Sequence, residues 1–274
     1  MIIDSHQHFW KYNPIRDAWI DESMSVIQKD FLPKDLESVL QKNEVDGCIA
    51  VQADQSEEET NFLLECALEN AFIKGVVGWV DLTDEQVETR LAHFASNPLF
   101  KGVRHIVQAE KEDYLLRKDV QNGISKLAEH NLTFDILVFP HQLAAAIQMV
   151  EKFPEQQFIL DHIAKPNISA PMDKEWKENI STLSKFENVS CKISGMVTEI
   201  ENFIFNDSDF NPFLDVVFES FGSHRLMYGS DWPVCLLAAD YNKVFTIVHD
   251  YLERHLSSSK DQVLGINAVN IYNL

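Results

Sequence analysis

The sequence predicts an α/β chain closed into a single TIM-type (β/α)8 barrel spanning residues 1–274. Three observations carry this. Apolar, β-branched runs recur along the chain, and each is followed by a segment whose apolar residues have helical spacing. Strand–helix alternation produces parallel sheets, and eight such units in 274 residues suit a closed barrel of about 250 residues. The competing open, doubly wound sheet usually carries a glycine-rich turn after its first strand, and Ile3-Asp4-Ser5-His6-Gln7-His8 has no glycine.

The first run is Ile2–Ser5, and it leads into a long loop rich in Trp, Asn and Pro (Trp10 to Asp21), placed to line or cover a site. Pro33 suits the first turn of a helix whose stripe is Leu36, Val39 and Leu40. The second run, Gly47–Gln52, is followed by Ser56 with Glu59 three residues on, a capping-box pattern that starts a helix to about Asn70. After the third run, Gly75–Asp81, Thr83 and Gln86 read as a second capping box, with Val87, Leu91 and Phe94 as the buried face. The fourth run, Gly102–Val107, precedes a helix expected over Val120–Glu129. The fifth, Leu132–Phe139, is stopped by Pro140, and Leu143, Ile147 and Val150 space the next helix. Phe158–His162 is the sixth run, with a helix through Trp176, Ile180 and Leu183 after a Pro-bearing loop. Val189–Ser194 is the seventh, with a helix over Phe213–Phe221. Arg225–Asp231 is the eighth, and helices over Asn242–Leu252 and Ser259–Tyr272 complete the chain. No repeat, low-complexity tract or linker divides it.

Composition narrows the function. The formal net charge is −20, from 23 basic and 43 acidic residues, so the basic surface that nucleic acid requires is missing. The same charge disfavours anionic membranes, and no apolar run reaches the length of a membrane-spanning helix. Cys48, Cys66, Cys191 and Cys235 have no C-x-x-C spacing and read as free thiols of a reducing compartment. With no signal-peptide pattern, the expected location is cytoplasmic.

In a barrel the chemistry lies at the C-terminal ends of the strands. His6 and His8 stand there, two residues apart, so a strand would aim both imidazoles to one side. Further ends offer Trp79 and Asp81, Arg104 and His105, Asp161 and His162 with Lys165 just beyond, Lys192 and Ser194, and Asp231 with Trp232. Asp135 lies in mid-run. Each has a plainer reading. Arg104 suits a salt bridge to Asp81 or Asp135, Asp161 suits a brace for a loop or histidine, and Lys192 suits an outward position under a helix. His105 alternates with Arg104, so at most one of them faces the axis. Convergence of polar residues on one end of nearly every strand favours a site.

The motifs Asp4-Ser5-His6-Gln7-His8-Phe9-Trp10, Gly102-Val103-Arg104-His105, Asp161-His162-Ile163-Ala164-Lys165-Pro166 and Gly229-Ser230-Asp231-Trp232-Pro233 resemble the amidohydrolase superfamily. Within it they are most similar to the amidohydrolase-2 branch, which holds sugar lactonases and the 2-pyrone-4,6-dicarboxylate lactonase. The resemblance runs from Asp4 to the Asn267–Tyr272 tail. It implies hydrolysis of a small sugar lactone. Asp231 would activate water, His162 would share the proton transfer, and Arg104, His6 and His8 would bind substrate oxygens. Trp79, Trp232 and Lys192 are the remaining candidates for substrate contact. Binuclear relatives carry a carboxylated lysine or similar bridging ligand, and many mononuclear ones a strand-five histidine. Here the fifth run has only Asp135. The resemblance therefore implies at most one divalent metal, zinc or manganese, on His6, His8 and Asp231, and leaves metal-free hydrolysis open. A metal-dependent decarboxylase of an aromatic or muconate-type acid is the second expectation, and a ligand-binding barrel the third. Oligomeric state is left open.

Overall fold

Residues 1–274 are described by a computed structural model. Eight parallel strands form one sheet in chain order: β1 (Ile3–Gln7), β2 (Gly47–Val51), β3 (Ile73–Gly78), β4 (Phe100–His105), β5 (Thr133–Ile136), β6 (Phe158–Leu160), β7 (Val189–Ile193) and β8 (Leu226–Tyr228). β8 and β1 are tied by a parallel bridge between Gln7 and Trp232. The His8 N–H donates to the Trp232 carbonyl at 2.7 Å, the Asp231 N–H to the His6 carbonyl at 2.8 Å, and the Ser5 hydroxyl to the Tyr228 carbonyl at 2.6 Å. The fold is a TIM-type (β/α)8 barrel. Its strands read as continuous apolar runs because helices cover their outer faces.

The helices are α1 (Pro33–Lys42), α2 (Glu57–Glu69), α3 (Val87–Ala95), α4 (Lys118–Ile124), α5 (Leu143–Lys152), α6 (Lys174–Leu183), α7 (Asn211–Phe221), α8 (Tyr241–His255) and α9 (Asn267–Ile271). Ser56 caps α2, its hydroxyl accepting the Glu59 N–H at 3.2 Å. The return half of the box is not made. One oxygen of Glu59 instead accepts the N–H groups of Ala53 and Asp54 at 2.9 and 2.6 Å, which pins the loop after β2. The box expected at Thr83 and Gln86 does not form. Asp81 takes the Thr83 N–H and hydroxyl, Asp84 takes the Gln86 N–H, and α3 starts only at Val87. The helix expected over Val120–Glu129 ends at Ile124, and a short 3-10 turn at Ala128–His130 follows, closed by Asn131 at φ 55°. No helix is long and apolar enough to cross a membrane.

One irregularity sets the site. Along β1 and β2, Asp4 pairs with Cys48 and Gln7 with Ala50, so three steps on β1 oppose two on β2. This is a bulge, and it resets the alternation of side chains. Ile3 packs inside the barrel with Ile49, Val77, Ile159 and Met227. Beyond the bulge, His6 and His8 both meet Asp231 within 4 Å. Asp4 accepts the N–H groups of His6 and Ser230 and the hydroxyl of Tyr241 from α8, so one buried carboxylate ties β1 to the chain beyond β8.

Candidate active site

The interior of the barrel is layered. Above the apolar floor of Ile3, Ile49, Val77, Ile159 and Met227 comes a charged layer, and above that the histidines and Asp231. In the charged layer Lys192 Nζ lies 2.5 Å from Asp135, 3.0 Å from Asp161 and 3.2 Å from His6 Nδ1. Lys192 is fully buried inside the barrel, so the outward position is excluded. Arg104 Nη1 lies 3.1 Å from Asp161 and 3.2 Å from His6 Nε2, while Nη2 donates to the Gln52 carbonyl. Its ion-pair partner is thus Asp161 rather than Asp81 or Asp135. Lys192, His6 and Arg104 together outweigh the effect of burial and hold Asp161 well below the usual carboxylate range. Burial pushes Asp135 up against the pull of Lys192, and the Asp161 charge adds to the rise.

His6 is placed by this layer. Burial lowers its basicity well below the ordinary imidazole value, and the charges of Lys192 and Arg104 act in the same direction against the pull of Asp161. Arg104 and Lys192, both donors only, meet the two ring nitrogens of His6, Nε2 and Nδ1, at 3.2 Å each, and Asp161 Oδ1 stands 3.3 Å from Nδ1.

Asp231 sits at the mouth, beyond the end of β8, at φ 57°. His8 Nε2 is 3.2 Å from its Oδ1, and His6 Nε2 and His162 Nε2 are each 3.9 Å away. Burial alone would raise the Asp231 carboxyl, but His162, His8 and Lys165 outweigh it and hold the group below its ordinary value. His8 Nδ1 donates to the Val51 carbonyl at 2.7 Å, which leaves Nε2 facing the carboxylate, as an acceptor in the neutral ring and as a donor in the protonated one. His162 Nδ1 is 2.8 Å from the Ser194 hydroxyl. With the hydroxyl donating, the His162 proton lies on Nε2 and points toward Asp231. Burial keeps His162 well below its usual pKa.

His162 owes its aim to an uncommon backbone. His162, Ile163, Ala164 and Lys165 all have positive φ, from 48° to 60°, a left-handed turn built without glycine. Each such residue costs roughly 1–2 kcal/mol, and strain of this kind collects at functional sites. The turn is held by the Trp176 indole, which donates to the Ile163 carbonyl at 2.9 Å, and by the Lys165 N–H on the His162 carbonyl at 2.8 Å. Gly195 must be glycine, since its φ is 63° and a Cβ would stand 2.5 Å from His162 Nδ1. Lys165 closes the rim through a 2.5 Å pair with Glu199.

The structure brings His6, His8, Arg104, His162, Lys192 and Asp231 into one cluster. It does not bring Trp79 and Trp232 there by hydrogen bonding. The Trp79 indole donates to His105 Nδ1 at 3.3 Å, and His105 stacks on Tyr114, off the line of Arg104. Trp232 is 3% exposed and packs edge-on against Phe9 and Phe31 as part of the core. Two supporting groups carried no role in the sequence reading: the Val51 carbonyl and Ser194. Only Ser194 left a signal, as a polar residue at the end of the seventh run.

The amidohydrolase family model matches residues 3–274. The chain belongs to the amidohydrolase family. It is 36% identical to the L-fucono-1,5-lactonase of Burkholderia multivorans, an alignment covering 99% of this chain and 96% of that protein. Identity to the L-fucono-1,5-lactonase of Burkholderia ambifaria is 33%, over 99% and 95%. A crystal structure of a Burkholderia multivorans amidohydrolase with bound zinc superposes with a TM-score of 0.95 at 34% identity, covering 100% of this chain and 99% of that one.

A single divalent ion suits the donor set of this amidohydrolase. His8 Nε2 and the Asp231 carboxylate face each other, and the donor atoms of His6, His8 and Asp231 lie within 4.8 Å of one another; an ion there would compete with Arg104 Nη1 for His6 Nε2. A second group of His6, Asp161 and His162 is equally compact. Its carboxylate, however, is already met by Lys192 and Arg104. The carboxylates of β5 and of the turn after β6 are thus already paired with protein cations.

Proposed function

We propose that this amidohydrolase hydrolyses small sugar lactones, with Asp231 as the base that takes the proton of the attacking water. One observation carries the reading: a buried carboxylate, held ionised at neutral pH, has three histidines around it at 3.2, 3.9 and 3.9 Å. The identity of 33–36% to two L-fucono-1,5-lactonases along nearly the whole chain supports the choice of a lactone.

The bond that breaks is the one between the lactone carbonyl carbon and the ring oxygen. Asp231 accepts a proton as water adds to the carbonyl. His162 Nε2–H donates to the oxygen on which charge develops, and Arg104, fixed by Asp161 and Gln52, supplies positive potential from below. The proton on Asp231 then passes to the departing ring oxygen, which becomes the hydroxyl of the opened sugar acid. A divalent ion on His6, His8 and Asp231, when bound, supplies charge stabilisation and lowers the pKa of water. Zinc is the first choice, on the strength of the zinc-bound relative.

The test is a panel of aldonolactones that includes L-fucono-1,5-lactone and its stereoisomers, followed by acid release with a pH indicator, with bound metal measured on the same samples. Acid release from at least one sugar lactone is expected. No release across the panel, with carbon dioxide released from a benzoate- or muconate-type acid, would replace this reading by a decarboxylase.

A further inference from the structure

The C-terminal tail has no part in the chemistry above, yet it reaches the charged layer. A π turn at Gln262–Ile266 and α9 close the N-terminal end of the barrel. Asn267 Nδ2 donates to the Ser223 and Leu226 carbonyls at 2.7 Å each, and Lys101 Nζ to the Asn273 carbonyl at 2.7 Å. All of these partners lie at or before the starts of β4 and β8. Tyr272 is 2% exposed and packs among the floor residues Ile3, Ile49, Val77, Ile159 and Met227. Its hydroxyl donates to Asp135 Oδ2 at 2.9 Å, the same oxygen that meets Lys192 at 2.5 Å. Lys192 in turn touches His6 Nδ1 at 3.2 Å, and its ammonium stands 5.5 Å from the Tyr272 ring centroid.

We infer that Tyr272 is a positioning residue for His6, acting through Asp135 and Lys192 from the closed end of the barrel. Lysine carries its charge on a flexible stem, so the place of Nζ is set by what its partners allow. Asp135 has three: Thr133 Oγ1 on Oδ1 at 3.1 Å, and Tyr272 and Lys192 on Oδ2. The tyrosine hydroxyl and ring bound the space open to the ammonium, and the ammonium bounds the His6 ring. A displacement of about 1 Å in a reacting constellation is enough to cost two orders of magnitude in rate.

This inference rests on the reading of His6 as part of the working site, and the experiment keeps the two apart. Tyr272→Phe retains the ring in the floor and removes the hydroxyl. With the lactone that the wild type opens fastest, kcat is expected to fall about tenfold while KM stays within about twofold. Thr133→Val, which removes the other neutral donor to Asp135, is expected to lower kcat in the same sense and serves if the first variant folds poorly. Val269→Ala, which loosens packing at the floor without touching the link, sets the baseline for destabilisation alone, and its kcat is expected to be that of the wild type. Wild-type kcat in both Tyr272→Phe and Thr133→Val overturns the inference. So does a loss in Tyr272→Phe that Val269→Ala reproduces at an equal drop in Tm. A wild type that opens no lactone defeats the functional reading instead.

Discussion

His8 presents its Nε2 to the Asp231 carboxylate at 3.2 Å because its other ring nitrogen is committed to the Val51 carbonyl at 2.7 Å. Two acceptors held face to face repel unless a proton or a cation lies between them. The protein therefore builds, from a strand backbone, a place that takes up positive charge. That property serves a base and a metal ligand alike.

Removing the charge at Asp231 tests the first role. Asp231→Asn keeps the shape, and asparagine tolerates the φ of 57° at this position, but it cannot take a proton. A loss of kcat of about a thousandfold is expected, with unchanged circular dichroism and a similar KM, within the usual range for a lost general base. Because the carboxyl is held below its ordinary value, the wild-type rate should persist down to pH values at which a free aspartate is half protonated. Retention of more than about a tenth of the activity in the variant would show that the base is elsewhere.

Gly195 tests the aim of His162. Alanine there meets φ 63° and places a methyl 2.5 Å from His162 Nδ1, where the Ser194 hydroxyl now binds. The backbone cost is about 1–2 kcal/mol. The larger effect falls on the ring, which must turn away from Asp231. A kcat loss of more than tenfold is expected alongside a lower Tm. Full activity in Gly195→Ala would mean that the orientation of His162 is not critical.

The parts of this architecture that the sequence made legible are those with a local period. Strand and helix order follows from spacing, and the His6–His8 pair from the two-residue repeat. The bulge between Asp4 and Gln7 left no mark, because register is a relation between β1 and β2. The turn at His162–Lys165 was hidden because the residues that signal positive φ, glycine and asparagine, are absent from Asp161-His162-Ile163-Ala164-Lys165. Lys192 could be read as inward or outward, since burial of a lysine depends on Asp135 and Asp161, whose partnership no pattern announces. The contact of Tyr272 with Asp135 spans 137 residues and has no local signature at all.

The buried ions make a stability prediction. Lys192→Met leaves Asp135 without a cation in a dry interior. Breaking a buried pair by removing one partner typically costs about 3–5 kcal/mol. Asp161 keeps Arg104, so the damage should centre on Asp135. Adding Asp135→Leu removes the stranded charge, and the double variant is expected to regain at least half of the lost unfolding free energy in urea. A double variant less stable than Lys192→Met would show that the pair is held for reasons other than mutual compensation.

Glu59 makes the pH dependence of folding readable. Burial pushes its carboxyl from 4.5 to about 7, although the N–H groups of Asp54 and Ala53 pull the other way. Between those values the folded protein binds a proton that the unfolded chain does not. The stabilisation is therefore complete below about pH 4.5, falls as pH rises, and is gone above about 7. The shift is worth about 3 kcal/mol at most. Asp4, pushed by burial to about 6, adds a slope of the same sign between 3.8 and 6. In Glu59→Gln the amide oxygen can still accept both N–H groups, since a single oxygen of Glu59 takes them now. Its stability should therefore lose the part of the slope that belongs to Glu59 and keep the part that belongs to Asp4. Urea unfolding at pH 5 and pH 7.5 measures this, and the difference between the two pH values is expected to be smaller in the variant by about 2–3 kcal/mol. Repulsion within a chain of net charge −20 also grows with pH, but it is nearly the same in both proteins and cancels in the comparison. Equal differences in wild type and variant would mean that Glu59 titrates in the folded protein as it does in the unfolded one.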